Sequence, residues 1–74
     1  MTANSKIPWP PTYLGRLQAV IGELKRLDQP ASVEMVAEQF SGVTNDQIEA
    51  TLAALVLFGR AERKGNLYFA SVGS

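Results

Sequence analysis

Residues 43–48 read Val-Thr-Asn-Asp-Gln-Ile, and they carry the clearest local signal in the chain. Thr44 is a favoured N-cap residue, and Gln47 stands three positions later, at the spacing of a capping box. Val43 and Ile48 occupy the two positions whose side chains pack together as a hydrophobic staple. The pattern therefore predicts a helix that begins here and ends at Gly59, with an apolar side made of Ile48, Leu52, Leu55 and either Val56 or Phe58.

A shorter helix is predicted immediately before this one. Ser32 is a good N-cap residue and follows Pro30 and Ala31. The predicted inward set is Val33, Val36, Ala37 and Phe40, and Glu34 and Glu38 are predicted to face outward. Gly42 suits the left-handed conformation that ends many helices. Since only residues 41–43 separate Phe40 from Thr44, a short turn of the helix-turn-helix kind joins the two helices.

The first helix of the chain is predicted from Thr12 to the proline-containing segment at residues 28–30. Gly15 and Gly22 each weaken a helix by up to about 1 kcal/mol relative to alanine. Either the backbone is approached closely at these glycines, or tertiary contacts supply most of the stability. The predicted apolar stripe is Leu14, Leu17, Val20, Ile21, Leu24 and Leu27, and the residues predicted opposite it are Arg16, Glu23 and Arg26.

The residues before this helix, 1–11, are predicted to form an extended arm. Three prolines within residues 8–11 favour an extended backbone, and the arm carries Ile7 and the only tryptophan, Trp9. Two readings stay open. Either Trp9 packs on its own domain and removes a large apolar area from water, or the arm binds a partner.

Gly65 and Asn66 separate a charged run from an aromatic run, which predicts a two-residue hairpin turn. Strand alternation puts one set of side chains, Ala61, Arg63, Tyr68 and Ala70, on one face and the other set, Glu62, Lys64, Leu67 and Phe69, on the opposite face. Only one face can pack on the helices, so large apolar side chains stay on the outer face. That face is either an association surface with Trp9 nearby or is covered by the arm.

Composition limits the classes of function. The chain has 74 residues, of which 46% are hydrophobic and 19% charged, as expected for one small globular domain. It has no cysteine and no histidine, so catalysis would need carboxylates, serine or lysine alone. No residue that would activate Glu34, Glu38 or Glu49 is evident, and a domain this small has little room for a cleft, so we expect no enzyme activity, metal, cofactor or small-molecule substrate. No apolar run reaches about 18 residues and no secretory pattern opens the chain, so we expect a cytoplasmic protein without membrane association. The net charge is zero, so any contact with nucleic acid must be local.

The order of helix, short helix, turn, helix, glycine and hairpin resembles the winged helix-turn-helix family between about Thr12 and Ala70. With the leading Trp9 and Pro10, the chain is also similar to small winged-helix segments appended to bacterial DNA-modifying enzymes such as adenine methyltransferases. The resemblance rests on Pro30, Ala31 and Ser32, on Val36, Ala37 and Phe40, on Thr44, Leu52, Leu55 and Gly59, and on Gly65 and Tyr68. It implies a mainly α fold with a small antiparallel β-hairpin (α+β), divided into an arm at 1–11, a winged helix-turn-helix domain at 12–71 and a short tail at 72–74.

The resemblance also implies a function. In that family the third helix usually enters the major groove of DNA, and the hairpin, or wing, touches the adjacent backbone. Carried onto this chain, the contacts to duplex DNA are Thr44, Asn45, Gln47, Ala50, Thr51 and Ala54 of the helix and Arg60, Arg63 and Lys64 of the wing. The third helix carries Asp46 and Glu49 and no basic residue, and phosphates repel such a surface.

The family resemblance favours DNA binding and the charge balance favours a protein partner; we predict DNA binding and keep protein interaction as the alternative. The first function is a nucleic-acid-binding module that contacts duplex DNA through the basic wing and the N-terminus of the third helix. The other is a protein-interaction module, which includes a homodimer, that uses the acidic third helix or the apolar outer face of the wing. The second function makes Trp9, Leu67 and Phe69 the interaction surface.

Overall fold

The computed structural model describes residues 6–71; the predictions for residues 1–5 and for the tail at 72–74 lie outside this range. Within it, three helices and two small sheets give a mixed α+β architecture, which confirms the fold class at that level. In chain order the elements are β1 (Ile7–Pro8), α1 (Tyr13–Leu27), α2 (Val33–Ala37), β2 (Phe40–Ser41), α3 (Asn45–Leu57), β3 (Ala61–Lys64) and β4 (Leu67–Ala70).

Local capping explains where α1 begins and ends. The Thr12 side chain accepts a hydrogen bond from the backbone N–H of Gly15 at 3.0 Å. At the other end, Asp28 adopts the left-handed conformation with φ 54°, and its N–H donates to the carbonyl of Leu24. The two glycines differ: a Cβ on Gly15 would lie 2.8 Å from the Thr12 hydroxyl, whereas one on Gly22 would meet nothing within 4 Å. The close approach of the Thr12 side chain therefore explains why glycine occupies position 15, but no such contact explains Gly22.

The predicted capping box at the start of α3 is confirmed. Thr44 Oγ1 accepts from the Gln47 N–H at 3.2 Å, and Gln47 Oε1 accepts from the Thr44 N–H at 3.0 Å. At the other end, Gly59 takes a positive φ of 77°, as expected for a helix terminator. Of the two predicted apolar side chains near that end, Val56 packs against the core and Phe58 is exposed.

The prediction that Phe40 belongs to α2 is wrong. The helix ends at Ala37, and Phe40 lies in β2, where it pairs in parallel with Ile7 of β1. Phe40 is buried in either conformation, so the helical period could not distinguish a last helical turn from a short strand. Gly42, at φ 75°, follows β2 and does not end α2 directly.

The described part of the arm packs on its own domain. The N–H of Ile7 donates to the carbonyl of Gln39, and the N–H of Trp9 donates to the carbonyl of Ser41. The indole of Trp9 meets the Phe40 ring edge-to-face, with the ring centroids 5.3 Å apart. Of the two alternatives for Trp9, this structure therefore shows the one in which Trp9 packs on its own domain.

The predicted hairpin is confirmed, with Lys64 opposite Leu67 and with Gly65 at φ 63° in the turn. Tyr68 is buried, so its face of the hairpin packs inward. Tyr68 also exchanges two backbone hydrogen bonds of 2.8 Å with Ala31, which lies between α1 and α2. This pairing fixes the hairpin against the helices.

The apolar stripe predicted for α1 is only partly buried. Leu17 and Ile21 are half-buried and Leu14 is exposed, whereas Val20 is fully buried. The buried residues are Val20, Leu24, Ala31, Val36, Phe40, Ile48, Leu52, Leu55, Ala61 and Tyr68.

Glu23, predicted on the solvent side of α1, is only 7% exposed. Its Oε1 accepts hydrogen bonds from Nε and Nη2 of Arg26 at 3.0 and 2.7 Å. These hydrogen bonds, and then the attraction between the two charges, raise the pKa of Arg26 above its usual value. A buried carboxylate is tolerated here because it is paired.

Among the helices of residues 6–71, none is long and apolar enough to cross a membrane.

Candidate functional site

The start of α3, where base-reading side chains are predicted, is partly occupied by its own cap. Gln47 Oε1 already accepts the hydrogen bond from the Thr44 backbone. A bidentate contact with adenine uses both the oxygen and the nitrogen of a side-chain amide. Gln47 could make that contact only by giving up part of the capping box. Asn45 is exposed at the first position of the helix and does not take part in the cap.

Thr51 does not join Asn45 and Gln47 on the exposed side of α3. It is buried, and its hydroxyl donates to the carbonyl of Gln47 at 2.8 Å. Of its neighbours, Ala50 is exposed and Ala54 is half-buried. The sequence held the signal for this correction, because position 51 lies three residues after the core residue Ile48 and therefore near the same helix face.

Acidic residues from two helices surround the start of α3. Glu34 of α2 and Glu38, the C-cap residue of that helix, lie one helical turn apart and line a shallow depression together with Asn45. Asp46 is exposed in the first turn of α3, and Glu49 is exposed in the next turn. The depression also contains one basic residue, Lys6. The sequence identified the acids of α3, but only the fold brings those of α2 beside them.

The three basic residues of the hairpin do not converge. Arg63 lies on the same face of the hairpin as Tyr68, and its guanidinium carbon is 5.9 Å from the centroid of the Tyr68 ring. The Nε of Arg63 donates a hydrogen bond to the carbonyl of Gly65 at 2.8 Å. Lys64 lies on the opposite face, since side chains alternate along a strand. Arg60 precedes β3, about 10 Å along the strand from Arg63 at some 3.3 Å per residue.

Trp9, Leu67 and Phe69 do not form one surface. Trp9 packs against β2, and the guanidinium carbon of Arg16 lies 5.4 Å from the centroid of its ring. Phe69 instead lines a groove with Lys25 near the other end of α1. Arg16 and Lys25 are nine residues apart, roughly 14 Å along the helix axis. The arm, as far as it is described, therefore leaves the outer face of the hairpin uncovered, and Leu67 is 39% exposed there.

An apolar surface that was not predicted from the sequence lies at the junction of α1 and α3. Leu14 is 63% exposed and Phe58 is 55% exposed, and both line one groove with the half-buried Leu17 and Ile21. At 3.6 residues per turn, Leu14 lies about 120° around the helix from the buried Val20. The apolar stripe of α1 is therefore wider than the core can cover, and this was the signal available in the sequence.

Searches of protein-family models, curated proteins and solved structures found no match to this chain. The described residues contain no group of three or more acidic side chains arranged to hold a metal ion.

Proposed function

We propose that this chain is a winged helix-turn-helix module that binds a protein partner. In this reading α2 and α3 are the helix-turn-helix, and β3 and β4 are the wing. The pairing of Ala31 with Tyr68 supports the reading because it joins the hairpin to the segment between α1 and α2. The packing of β3 against α3 and of β4 against α1 agrees with it.

The exposed apolar side chains at the α1–α3 junction carry the proposal. Leu14 and Phe58 are both exposed, and they line one groove with the half-buried Leu17 and Ile21. Single exposed apolar residues need no explanation, but a cluster with a groove beside it is typical of a protein-binding surface. Burial of such side chains contributes roughly 1.5 to 3 kcal/mol each.

The charges around α3 favour a protein partner over DNA. In the winged helix-turn-helix family, the corresponding helix usually enters the major groove. The N-terminus of α3 is flanked by Glu34, Glu38 and Asp46, with Lys6 as the basic residue beside them. Duplex DNA carries one negative charge per about 1.7 Å of helix axis, so each of these carboxylates opposes docking. A protein partner does not carry the uniform negative charge of DNA, so these carboxylates need not oppose its docking.

The proposal is tested by capture followed by reconstitution. The immobilised chain is incubated with a nuclease-treated extract of its source cells, and any retained protein is purified and titrated against the chain by calorimetry. We expect a saturable complex of fixed stoichiometry. A chain that retains no protein, but that binds random duplex DNA saturably with NMR shifts at Asn45 and Gln47, would overturn the proposal.

A second candidate function, DNA binding through the wing alone, is favoured by one observation. Arg60, Arg63 and Lys64 are exposed, and the only salt bridge in the part of the chain that the structure describes is between Arg26 and Glu23. If three phosphates are neutralised, the log–log salt slope should be about −2.7. Reversing the charges of Arg63 and Lys64 should then abolish binding, and binding that survives this change would refute the wing as the contact.

A further inference from the structure

A groove with an apolar floor runs along the exposed side of α1. Its floor is formed by Leu14, Leu17 and Ile21 of α1 together with Leu55 and Phe58 at the end of α3. The groove encloses about 510 Å³ and is open to solvent. It is therefore a trough that can receive side chains from outside the domain.

The floor has the dimensions of a site for a helix. The apolar α1 residues that line it, Leu14, Leu17 and Ile21, stand at positions i, i+3 and i+7. With Lys25, the lining of the groove extends roughly 16 Å along α1, or three helical turns. Helices that bind in grooves present apolar anchors at the same spacing. A second groove shares Lys25 and Ser71 with the first, and Phe69 on the outer face of the hairpin also lines it.

The rim of the first groove is basic. Among residues 6–71, Lys25 and Arg60 line it and no acidic side chain does. The second groove adds Lys64 and a single acid, Asp28. None of these three basic residues forms a salt bridge within residues 6–71. Their charges are therefore available to an incoming partner.

We infer that this groove binds an acidic amphipathic helix of a protein partner, with two or three large apolar side chains on one face and Asp or Glu beside them. The inference rests on the proposed function and names the partner's chemistry. A second copy of the chain fits less well, because a two-fold contact of groove on groove brings Lys25 and Arg60 toward the same basic residues of the other copy. An acidic helix buries the same apolar floor and pairs both charges.

Two synthetic helical peptides of about 14 residues test the inference. Both carry leucine at i, i+3 and i+7; one has glutamate at the flanking positions, and its twin has lysine there. Titration into the ¹⁵N-labelled chain should give saturable shifts along α1 and at Phe58 for the acidic peptide. Its Kd should be at least about tenfold lower than that of the twin, which corresponds to about 1.4 kcal/mol.

Variants locate the contact. Leu14→Ser and Phe58→Ser should each raise the Kd of the acidic peptide by about tenfold, as expected when a buried apolar anchor is lost. Leu57→Ser is the matched control, since Leu57 is an exposed neighbour of Phe58 that does not line the groove. Lys25→Glu should reverse the preference between the peptides. Because all four side chains are exposed, the variants should keep the fold, which far-UV circular dichroism checks.

Several results would overturn the inference. Equal affinity for the two peptides, or an unchanged Kd in Leu14→Ser and Phe58→Ser, removes the groove as the site. Shifts in the groove that depend on protein concentration without peptide assign it to a second copy. Binding of the basic twin at Asp46 and Glu49 overturns the inference but leaves the proposed function standing. Absence of binding by both peptides also overturns it, and the capture experiment then decides the proposed function separately.

Discussion

Truncation of Leu52 to alanine tests how α3 packs, because Leu52 is fully buried between the other core residues of that helix, Ile48 and Leu55. The change removes a buried side chain and leaves a cavity, which costs about 2 to 5 kcal/mol at core leucines. A domain of 74 residues has a total stability of about 4 to 11 kcal/mol at 0.05 to 0.15 kcal/mol per residue. The substitution should therefore remove a substantial fraction of the stability, which appears as a lower urea midpoint.

Urea denaturation followed by far-UV circular dichroism gives the free energy of unfolding. Leu57→Ala is the matched control: it is the same chemical change on the same helix, at an exposed side chain. The control should lie within about 0.5 kcal/mol of the wild type. A loss below about 1 kcal/mol for Leu52→Ala, or an equal loss for both variants, would refute the assigned orientation of α3.

Three further changes probe the ends of the helices and the packed arm. Gly22→Ala should raise the free energy of unfolding by about 0.5 to 1 kcal/mol because its Cβ meets open space, whereas Gly15→Ala should lower it because its Cβ crowds the Thr12 hydroxyl. Urea melts should give these opposite signs, and a gain at Gly15 would contradict the close approach. Thr44→Ala should cost about 1 kcal/mol in the same assay and Thr44→Ser much less, so equal losses would show that the cap contributes little. Trp9→Phe should change stability by less than about 1 kcal/mol, since the buried indole N–H has no acceptor among residues 6–71, whereas Trp9→Ala should cost about 2 kcal/mol or more. Thermal melts that rank the two Trp9 variants equally would contradict this.

The elements that the sequence predicted best are those set by local chemistry. The capping box of Thr44 and Gln47 and the turn at Gly65 depend on neighbouring residues, so they can be read from a few positions. Phe40 shows the limit. Its pairing with Ile7 joins residues 33 positions apart, and no local pattern announces a strand of two residues.

The candidate surface was less predictable than the fold. Periodicity places Leu14 on the apolar side of α1, but whether that edge is covered depends on where α3 ends and on how Phe58 turns outward. In the same way, the acids of α2 and α3 are visible in the sequence, while their proximity depends on the connection between these helices. Surfaces assembled from several elements are tertiary properties, and no local pattern in the sequence encodes them.

The short parallel pairing of β1 with β2 has a consequence for measurement. Two of the hydrogen bonds that hold the arm, from Ile7 to Gln39 and from Trp9 to Ser41, lie at one edge of the domain, so the arm should open at a lower free energy than the core. Trp9 is the only tryptophan in the chain, and its indole N–H is buried. The protein thus has a built-in optical and exchange probe. Its fluorescence and the exchange rate of its indole proton report the release of the arm, while the amides of Ile48 and Leu52 report global unfolding.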